Sequence, residues 1–303
     1  METHGATLTR GSVLAGIAAL PLALESCARG PSRALAVGSK NFTEELIVGE
    51  MYAQLLEQAG YTVQRKLNLG GVAVAMAALQ RGDIDLYPEY TGTGLLTVLK
   101  QPPLHSASAV YDAVKRGYQA NFKLTWLDPA PMNDTQALAT TREISERYHL
   151  TTLSQLAVLA PKLRFGAIPE FVSRADALPG LKKFYGGFNF KSVRIFEIGL
   201  KYEALLHHDV DVVVAFGTDG QIDAYHLVVL EDDKHFWPPY HIAPVVRDDA
   251  LTRWPKIAAA LNALAPHLTD AAVRRLNWEV DGSKRDPADV ARAFLQRSGL
   301  HSA

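Results

Sequence analysis

Two histidines and two aspartates stand close together in the chain, at His207, His208, Asp209 and Asp211. Imidazole and carboxylate groups are the side chains that bind zinc and related metals. Adjacent residues leaving a helix point in different directions, however, so these side chains do not converge on one ion. We interpret the group as surface residues before a strand, and the sequence predicts neither a metal site nor a cofactor.

Carboxylates near the predicted ends of strands are a second group that could do chemistry, namely Glu44, Glu89 and Asp134. Nothing in the sequence pairs two of them for acid–base catalysis. The chain also has no glycine-rich phosphate loop, no dinucleotide-binding glycine pattern, no nucleophile elbow and no zinc-protease helix. We therefore expect a protein that binds a ligand rather than an enzyme.

The composition is that of a globular protein with a packed core. Of 303 residues, 48% are hydrophobic and 21% are charged, which are ordinary values. The net charge of −1 comes from 31 basic and 32 acidic residues without a basic run, so nucleic acid is not an expected partner. A chain of this length predicts two lobes rather than one core.

From residue 35 onward, short apolar runs alternate with amphipathic stretches, a pattern typical of an α/β fold with parallel strands. Asn41 to Glu44 has the form of a capping box and predicts a helix start there. Pro88 predicts the first turn of a later helix. The predicted strands lie at 35–37, 61–67, 84–86, 163–167, 193–197, 210–214 and 227–230.

Two proline-rich segments, 128–131 and 236–240, interrupt this alternation. They predict two crossings of the chain between lobes, which together would form a hinge. Lobe 1 would contain residues 34–131 and 239–303, and lobe 2 residues 132–238. A small ligand is expected in the cleft between such lobes.

Six motifs in a fixed order resemble those of the glycine betaine and choline binding proteins of ABC importers. The resemblance runs from about residue 36 to the C-terminus, and the motifs are GSKNFTEE (38–45), DLYPEYTG (85–92), NDT (133–135), RADALPGL (174–181), FGTDG (216–220) and PPY (238–240). It implies a two-lobed, type II periplasmic-binding-protein-like α/β fold in which the C-terminal segment completes lobe 1. It also implies a monomer that delivers its ligand to an ABC permease with its ATPase.

In the family that the chain resembles, aromatic rings from both lobes surround the alkylammonium group of the ligand. A quaternary ammonium has no N–H to donate, so ring faces attract it instead, at about 0.5–2 kcal/mol per ring. The resemblance places the ligand contacts at Lys40, Tyr90, Thr93, Asp134, Gln136, Arg174, Phe216 and Tyr240. Within this set, Lys40 and Arg174 are the basic residues expected near the ligand's carboxylate.

Two of these positions depart from the family pattern. Phe216 stands where the family commonly has a tyrosine and keeps a ring face. Gln136 replaces an aromatic residue, and its amide offers hydrogen-bond donors and an acceptor instead of a ring. These two departures leave the identity of the ligand open: glycine betaine, choline, carnitine, proline betaine and betainised amino acids such as ergothioneine all present a methylated cation.

Simpler interpretations of the same residues remain open. Tyr90 on its own would be a packed tyrosine, Lys40 an exposed lysine near a helix start, and Arg174 a partner of Asp176. Either His235 or His241 is an alternative ligand contact. A ligand-sensing role for a different zwitterionic solute is the alternative function, since binding-protein folds also serve in receptors.

The first 27 residues are typical of a secretory signal. Arg10 supplies a positive charge and residues 13–24 are apolar, a stretch shorter than the roughly 20 residues of a membrane-spanning helix. Ser26 before the lone Cys27 resembles the lipoprotein signal box, although Glu25 is unusual there. We expect an exported protein, periplasmic or at the cell surface, with Cys27 lipidated as its membrane anchor. An ordinary signal peptide is the alternative.

Overall fold

The computed structural model describes residues 33–300. The predicted signal segment 1–27 and the lipidation site Cys27 lie outside the described residues. Within them, no helix combines the length and the apolar composition that crossing a membrane requires.

Within residues 33–300, ten strands form two separate five-stranded sheets. In chain order they are β1 (Leu35–Gly38), β2 (Val63–Lys66), β3 (Leu86–Tyr90), β4 (Leu124–Trp126), β5 (Gln136–Thr140), β6 (Arg164–Ala167), β7 (Ser192–Ile195), β8 (Val212–Phe216), β9 (Val228–Val229) and β10 (Ile242–Arg247). The strand order is β2-β1-β3-β10-β4 in sheet A and β7-β6-β8-β5-β9 in sheet B.

Helices cover the faces of both sheets. The first seven are α1 (Thr43–Gln58), α2 (Val72–Arg81), α3 (Thr91–Thr93), α4 (Ala107–Phe122), α5 (Arg142–Tyr148), α6 (Leu153–Leu159) and α7 (Pro169–Ser173). The others are α8 (Leu178–Tyr185), α9 (Lys201–Leu206), α10 (Gly220–Ala224), α11 (Asp248–Arg253), α12 (Ile257–Asn262), α13 (Asp270–Asp281) and α14 (Pro287–Arg297). A π-helical turn, Gly94–Val98, continues α3, and Ala160–Lys162 and Ala265–His267 are 3₁₀ turns.

Both sheets are mixed, whereas the sequence pattern predicted parallel strands. β1 pairs in parallel with β2 and β3, and β6 with β7 and β8. The exceptions are β10, which is antiparallel to β3 and β4, and β5, which is antiparallel to β8 and β9. Both antiparallel strands follow a crossing between the sheets, which reverses the direction of entry, and neither was predicted from the sequence.

Pro88 lies in β3 and not in the first turn of a helix, so that prediction was wrong. It stands directly opposite Pro244 of β10. Neither proline has an N–H, so the two cannot form a pair that exchanges hydrogen bonds, and they occupy a position between two such pairs. The strand therefore continues to Tyr90 without losing a cross-strand bond at this point.

The chain passes twice between the two sheets, from β4 to β5 and from β9 to β10. The two connecting segments lie side by side. The amide of Asp134 donates to the Tyr240 carbonyl at 3.1 Å, and the amide of Ala130 donates to the Ile242 carbonyl at 2.8 Å. The proline-rich segments of the sequence predicted both passages.

The C-terminal helices α12, α13 and α14 pack against α1, beside sheet A. Ile47, Met51 and Leu56 of α1 are fully buried there with Ile257 and Leu295. Chain that follows sheet B thus packs beside sheet A.

Phe165 provides a test of the sheet B core. Its side chain is 0% exposed and stacks on Phe190 at a centroid distance of 4.4 Å. Phe165→Ala is expected to lower the free energy of unfolding by about 3–5 kcal/mol in urea denaturation, because it leaves a cavity. Phe184→Ala removes a ring that is 50% exposed, so its cost should stay below about 1 kcal/mol. Equal losses would contradict the assignment of Phe165 to the core.

Candidate functional site

A cavity of about 220 Å³ lies between the two sheets. Its lining includes all eight residues predicted as ligand contacts, namely Lys40, Tyr90, Thr93, Asp134, Gln136, Arg174, Phe216 and Tyr240. They come from the ends of β1, β3 and β8, from α3, from the start of β5, from the end of α7 and from both connecting segments. His235 and His241 do not line the cavity, and the imidazole of His241 instead contacts the Ala130 carbonyl at 3.0 Å.

Lys40 follows β1, and its side chain is only 3% exposed. The alternative interpretation of Lys40 as an exposed lysine is therefore wrong. Its ammonium donates to Glu89 Oε1 at 2.6 Å and lies 3.4 Å from Glu45 Oε1. Burial lowers the pKa of Lys40 but the two carboxylates outweigh it, so the pKa is raised above its ordinary value. Burial raises the pKa of Glu45 to about 8. The positive charge of Lys40 is thus neutralised by the chain itself.

Arg174 forms a two-point pair with Asp176, through Nε at 2.8 Å and through Nη2. The same carboxylate accepts the Tyr240 hydroxyl at 2.9 Å and Gln136 Nε2 at 3.0 Å. Asp176 therefore holds three of the predicted ligand residues in place. Because Gln136 Nε2 faces only oxygen atoms, its amide orientation is fixed and the acceptor Oε1 remains for other partners.

A second buried lysine, Lys201, was not predicted. Its ammonium donates to Asp219 Oδ2 at 3.0 Å and lies 4.5 Å from the centre of the Phe216 ring. Asp219 Oδ2 also accepts the Tyr202 hydroxyl at 2.5 Å and the Phe216 amide at 3.0 Å. Lys201 is 1% exposed, so its ammonium is held away from bulk water, whereas Asp219 is partly exposed.

Two of the predicted ligand rings already carry a lysine of the chain against one face. Lys40 Nζ lies 4.5 Å from the centre of the Tyr90 ring, and Lys201 Nζ lies at the same distance from the Phe216 ring. Each contact is a cation–π interaction within the range that attracts a cation. A ligand cation therefore has only the other face of each ring.

Glu44 is the carboxylate at the centre of the cavity wall, in the first turn of α1. It accepts the Tyr90 hydroxyl at 2.6 Å, the Thr218 hydroxyl at 2.5 Å and the Asn277 amide at 3.0 Å. The predicted capping box was wrong for this reason: the residue before α1 is Phe42, which makes no side-chain capping bond. Glu44 points into the cavity rather than back to the helix end.

Asp134 meets the same threonine. Thr218 Oγ1 lies 2.6 Å from Asp134 Oδ1. Burial raises the pKa of Glu44 above its usual value, and burial, with the Glu44 charge second, raises the pKa of Asp134 well above its usual value. These two carboxylates are the polar centre of the cavity, and only Asp134 was among the predicted contacts.

Several lining residues were missed in the sequence. They are Phe42, Glu170, Glu197, Lys201, Tyr202, Thr218, Asp219, Asn277 and Asp281 among others. Thr218 and Asp219 belong to the FGTDG motif, which could have drawn attention to them. Lys201 and Asn277 carry no local signal, because they lie in helices and reach the cavity only through the tertiary fold.

Of the four residues of the His207 group, Asp211 is partly buried and pairs with Arg164 at 2.6 Å. His207, His208 and Asp209 are exposed at the end of α9, just before β8. Among residues 33–300, no set of three or more histidine, cysteine, aspartate or glutamate side chains is arranged to hold a metal ion.

Comparison with known proteins decides the family. The model of the substrate-binding domain of ABC-type glycine betaine transport systems matches residues 33–297. The chain belongs to this family. The resemblance seen in the motifs is thereby confirmed, and the family is one of transport proteins rather than a class of enzymes.

Individual relatives agree with this assignment. The glycine-betaine-binding protein of Pseudomonas aeruginosa is 35% identical over 276 residues, which cover 88% of each chain. The ergothioneine transport permease/ergothioneine binding protein EgtU of Helicobacter pylori is 35% identical over 267 residues, covering 88% of this chain and 48% of EgtU. The chain thus spans about half the length of that relative.

A solved structure of a glycine betaine/carnitine/choline ABC transporter has the same fold. It matches with a TM-score of 0.74 at 33% identity, covering 88% of this chain and 99% of that one. The two mixed sheets joined by two crossings are therefore the two-lobed, type II binding-protein fold that the motifs implied.

Replacing Gly92 tests how closely the Tyr240 ring approaches α3. A Cβ atom at Gly92 would lie 2.7 Å from two ring carbons of Tyr240. Gly92→Ala is expected to lower the free energy of unfolding by about 1–3 kcal/mol, measured in urea, because the ring must move and strain its bond to Asp176. Gly199→Ala is the matched control, since a Cβ there meets no atom within 4 Å. A Gly92→Ala protein as stable as wild type would rule out this close approach.

Proposed function

We propose that the chain captures a small quaternary-ammonium compound in the cavity and delivers it to an ABC permease with its ATPase. The observation that carries the proposal is the charge of the cavity wall. Six carboxylates line it, against three basic side chains: Glu44, Asp134, Glu170, Glu197, Asp219 and Asp281 against Lys40, Arg174 and Lys201. Because the wall has an excess of negative charge, it favours a ligand with a positive group.

Aromatic rings support the same ligand class. Five of them line the cavity, from Phe42, Tyr90, Tyr202, Phe216 and Tyr240. A ring face contributes about 0.5–2 kcal/mol to the binding of a cation, and micromolar binding needs about 8 kcal/mol. Contacts with three of these five rings, together with the nearby carboxylates, supply attraction of that order. The cavity, at about 220 Å³, is below the range of roughly 300–1,000 Å³ for larger ligands.

The lobes that we propose are residues 34–131 with 239–303, and residues 132–238. The two connecting segments, which hydrogen-bond to each other, act as the hinge. Closure of the lobes around the ligand then presents a closed form to the permease, and the protein acts as a monomer. The relatives named for glycine betaine and for transport across a membrane support this role.

Gln136 favours a particular group of ligands. Its Nε2 atom donates hydrogen bonds to Asp176 and Tyr240, so its Oε1 atom is the one left to accept a hydrogen bond from a ligand. Glycine betaine has no N–H or O–H to offer it, whereas choline has a hydroxyl and ergothioneine has ring N–H groups. A betainised amino acid is therefore the second candidate, and the EgtU relative is named for one.

Calorimetry against a panel tests the ligand class. Purified protein beginning after Cys27 is titrated with glycine betaine, choline, carnitine, proline betaine and ergothioneine. Tyr90→Ala and Tyr240→Ala are each expected to weaken binding of the preferred ligand by about 1 kcal/mol or more, roughly fivefold, because each removes a ring face.

Tyr111→Ala is the control, since Tyr111 is partly buried and does not line the cavity; it should leave the affinity unchanged. Circular dichroism checks that each variant is folded. The proposed ligand class fails if no compound in the panel binds more tightly than millimolar.

We place the protein outside the cytoplasm, anchored through a lipid on Cys27. The signal-like segment and the cysteine at its end support this proposal. Mass spectrometry of the protein isolated from its native host is expected to find an N-terminal Cys27 carrying a diacylglyceryl group, with the protein in the membrane fraction. A mature chain that starts at another residue without lipid would contradict the anchor.

A further inference from the structure

The hydroxyl group of Thr218 lies between two buried carboxylates. Its oxygen is 2.5 Å from Glu44 Oε2 and 2.6 Å from Asp134 Oδ1. Glu44 is 3% exposed and Asp134 is 8% exposed. Glu44 belongs to α1 beside sheet A, Asp134 to the first connecting segment, and Thr218 to the loop after β8 of sheet B. Three separate parts of the fold therefore meet in one short row of oxygen atoms.

The row of oxygen atoms from Glu44 through Thr218 to Asp134 needs one more hydrogen than the neighbouring groups provide. Two oxygen atoms at such a distance need a hydrogen between them, and the Thr218 hydroxyl has only one to donate. Tyr90 donates to the other Glu44 oxygen, and the Asn277 amide approaches Oε2 separately. The Thr218 amide donates to Asp134 Oδ1 at 3.3 Å, but none of these groups lies between the threonine hydroxyl and the second carboxylate. A protonated carboxyl group that donates to Thr218 supplies the missing hydrogen.

No basic side chain compensates for this pair. Among residues 33–300, neither Glu44 nor Asp134 forms an ion pair, whereas Lys40 and Lys201 are paired with Glu89 and Asp219. Arg274 on α13 donates to the Gly217 carbonyl and pairs with Asp223 rather than with either carboxylate. The remaining groups around the pair are neutral or acidic. They are Glu45 on α1, Tyr90 at the end of β3, Asp219 after β8, Tyr202 on α9, and Asn277 and Asp281 on α13.

We propose that Glu44 and Asp134 together hold one proton at neutral pH and release it when a cationic ligand binds beside them. Both line the cavity, and Asp134 Oδ2 forms no hydrogen bond to another described residue. The inference rests on the proposed function, because it takes the ligand to carry a positive charge. It adds that ligand capture is coupled to proton release.

The charge balance follows directly. With one proton the pair carries a charge of −1, and without it −2. A quaternary ammonium brings a fixed positive charge that it cannot lose, so it stabilises the doubly ionised pair and lowers the pKa of the pair. The proton passes to the solvent, and no bond in the ligand changes. Since binding releases a proton, affinity must rise as the pH rises, by up to about tenfold per pH unit.

Isothermal titration calorimetry measures this coupling. Choline and glycine betaine are titrated into the full mature protein at about pH 7 in two buffers with different ionisation enthalpies. Neither compound titrates near this pH, so any proton exchanged comes from the protein. We expect an observed binding enthalpy that differs between the buffers by an amount equivalent to the release of up to one proton, and a Kd that falls from about pH 6 to about pH 8.

Glu44→Gln separates this pair from other titrating groups. It keeps the shape and places a neutral amide where the shared proton was, so proton release and the pH dependence of Kd should both disappear. Glu50→Gln makes the same change on α1, at a buried carboxylate that pairs with Arg65 and does not line the cavity, and should keep both. If Glu44→Gln does not fold, Asp134→Asn is expected to give the same loss.

The outcomes distinguish the inference from the function. Binding heat that is the same in both buffers, or proton release that persists in Glu44→Gln or Asp134→Asn, overturns the inference and leaves the proposed ligand class standing. No binding heat with any compound of the larger panel overturns the proposed ligand class, and the inference with it.

Discussion

The burial of charge is the constraint on which the site depends. Nine ionisable acidic and basic side chains line one small cavity, and an unpaired charge removed from water costs several kcal/mol. Each basic side chain of the cavity offsets this cost by pairing with a different carboxylate: Lys40 with Glu89, Arg174 with Asp176 and Lys201 with Asp219. Once those pairs are made, no base remains for Glu44 and Asp134. Among residues 33–300 the cavity therefore keeps a negative centre, which a ligand cation would stabilise under the proposed function.

The fold determines which residues meet at that centre. Parallel strands place the ends of β1, β3 and β8 toward the cavity, which brings in the segments that follow them. The antiparallel β10 returns the chain to sheet A, and the helices after it pack on α1. As a result α13 contributes Asn277, which donates both to Glu44 and, at 2.9 Å, to the Thr218 carbonyl. The C-terminal helices thus join α1 to the loop after β8 and hold the two carboxylates at a fixed separation.

Local sequence signals were sufficient for some of this arrangement and misleading for the rest. The strand at 35–37 follows from the hydrophobic pattern and is present, and the proline-rich segments 128–131 and 236–240 lie between strands of different sheets. The capping box at Asn41 failed because tertiary partners took the Glu44 carboxylate. β5 contains two alanines and β10 contains Pro244, which obscure their strand pattern, and both strands are fixed by pairing on two sides and by burial. The motifs indicated all eight predicted lining residues, but Lys201 and Asn277 could not be found without the packing of α9 and α13.

The two buried lysines also reduce the attraction that the aromatic rings can offer to a ligand cation. Lys40 and Lys201 already lie over the Tyr90 and Phe216 rings, so the chain's own ammonium groups use part of the attraction that a ligand cation would otherwise receive. Ring faces accept any cation of suitable size, and they distinguish poorly between one methylated amine and another. Discrimination then depends on the polar atoms that remain, the Gln136 oxygen and the Glu44–Asp134 pair. A buried acceptor left without a donor costs about 1–3 kcal/mol, so a ligand that supplies a hydrogen to Gln136 is favoured over one that cannot.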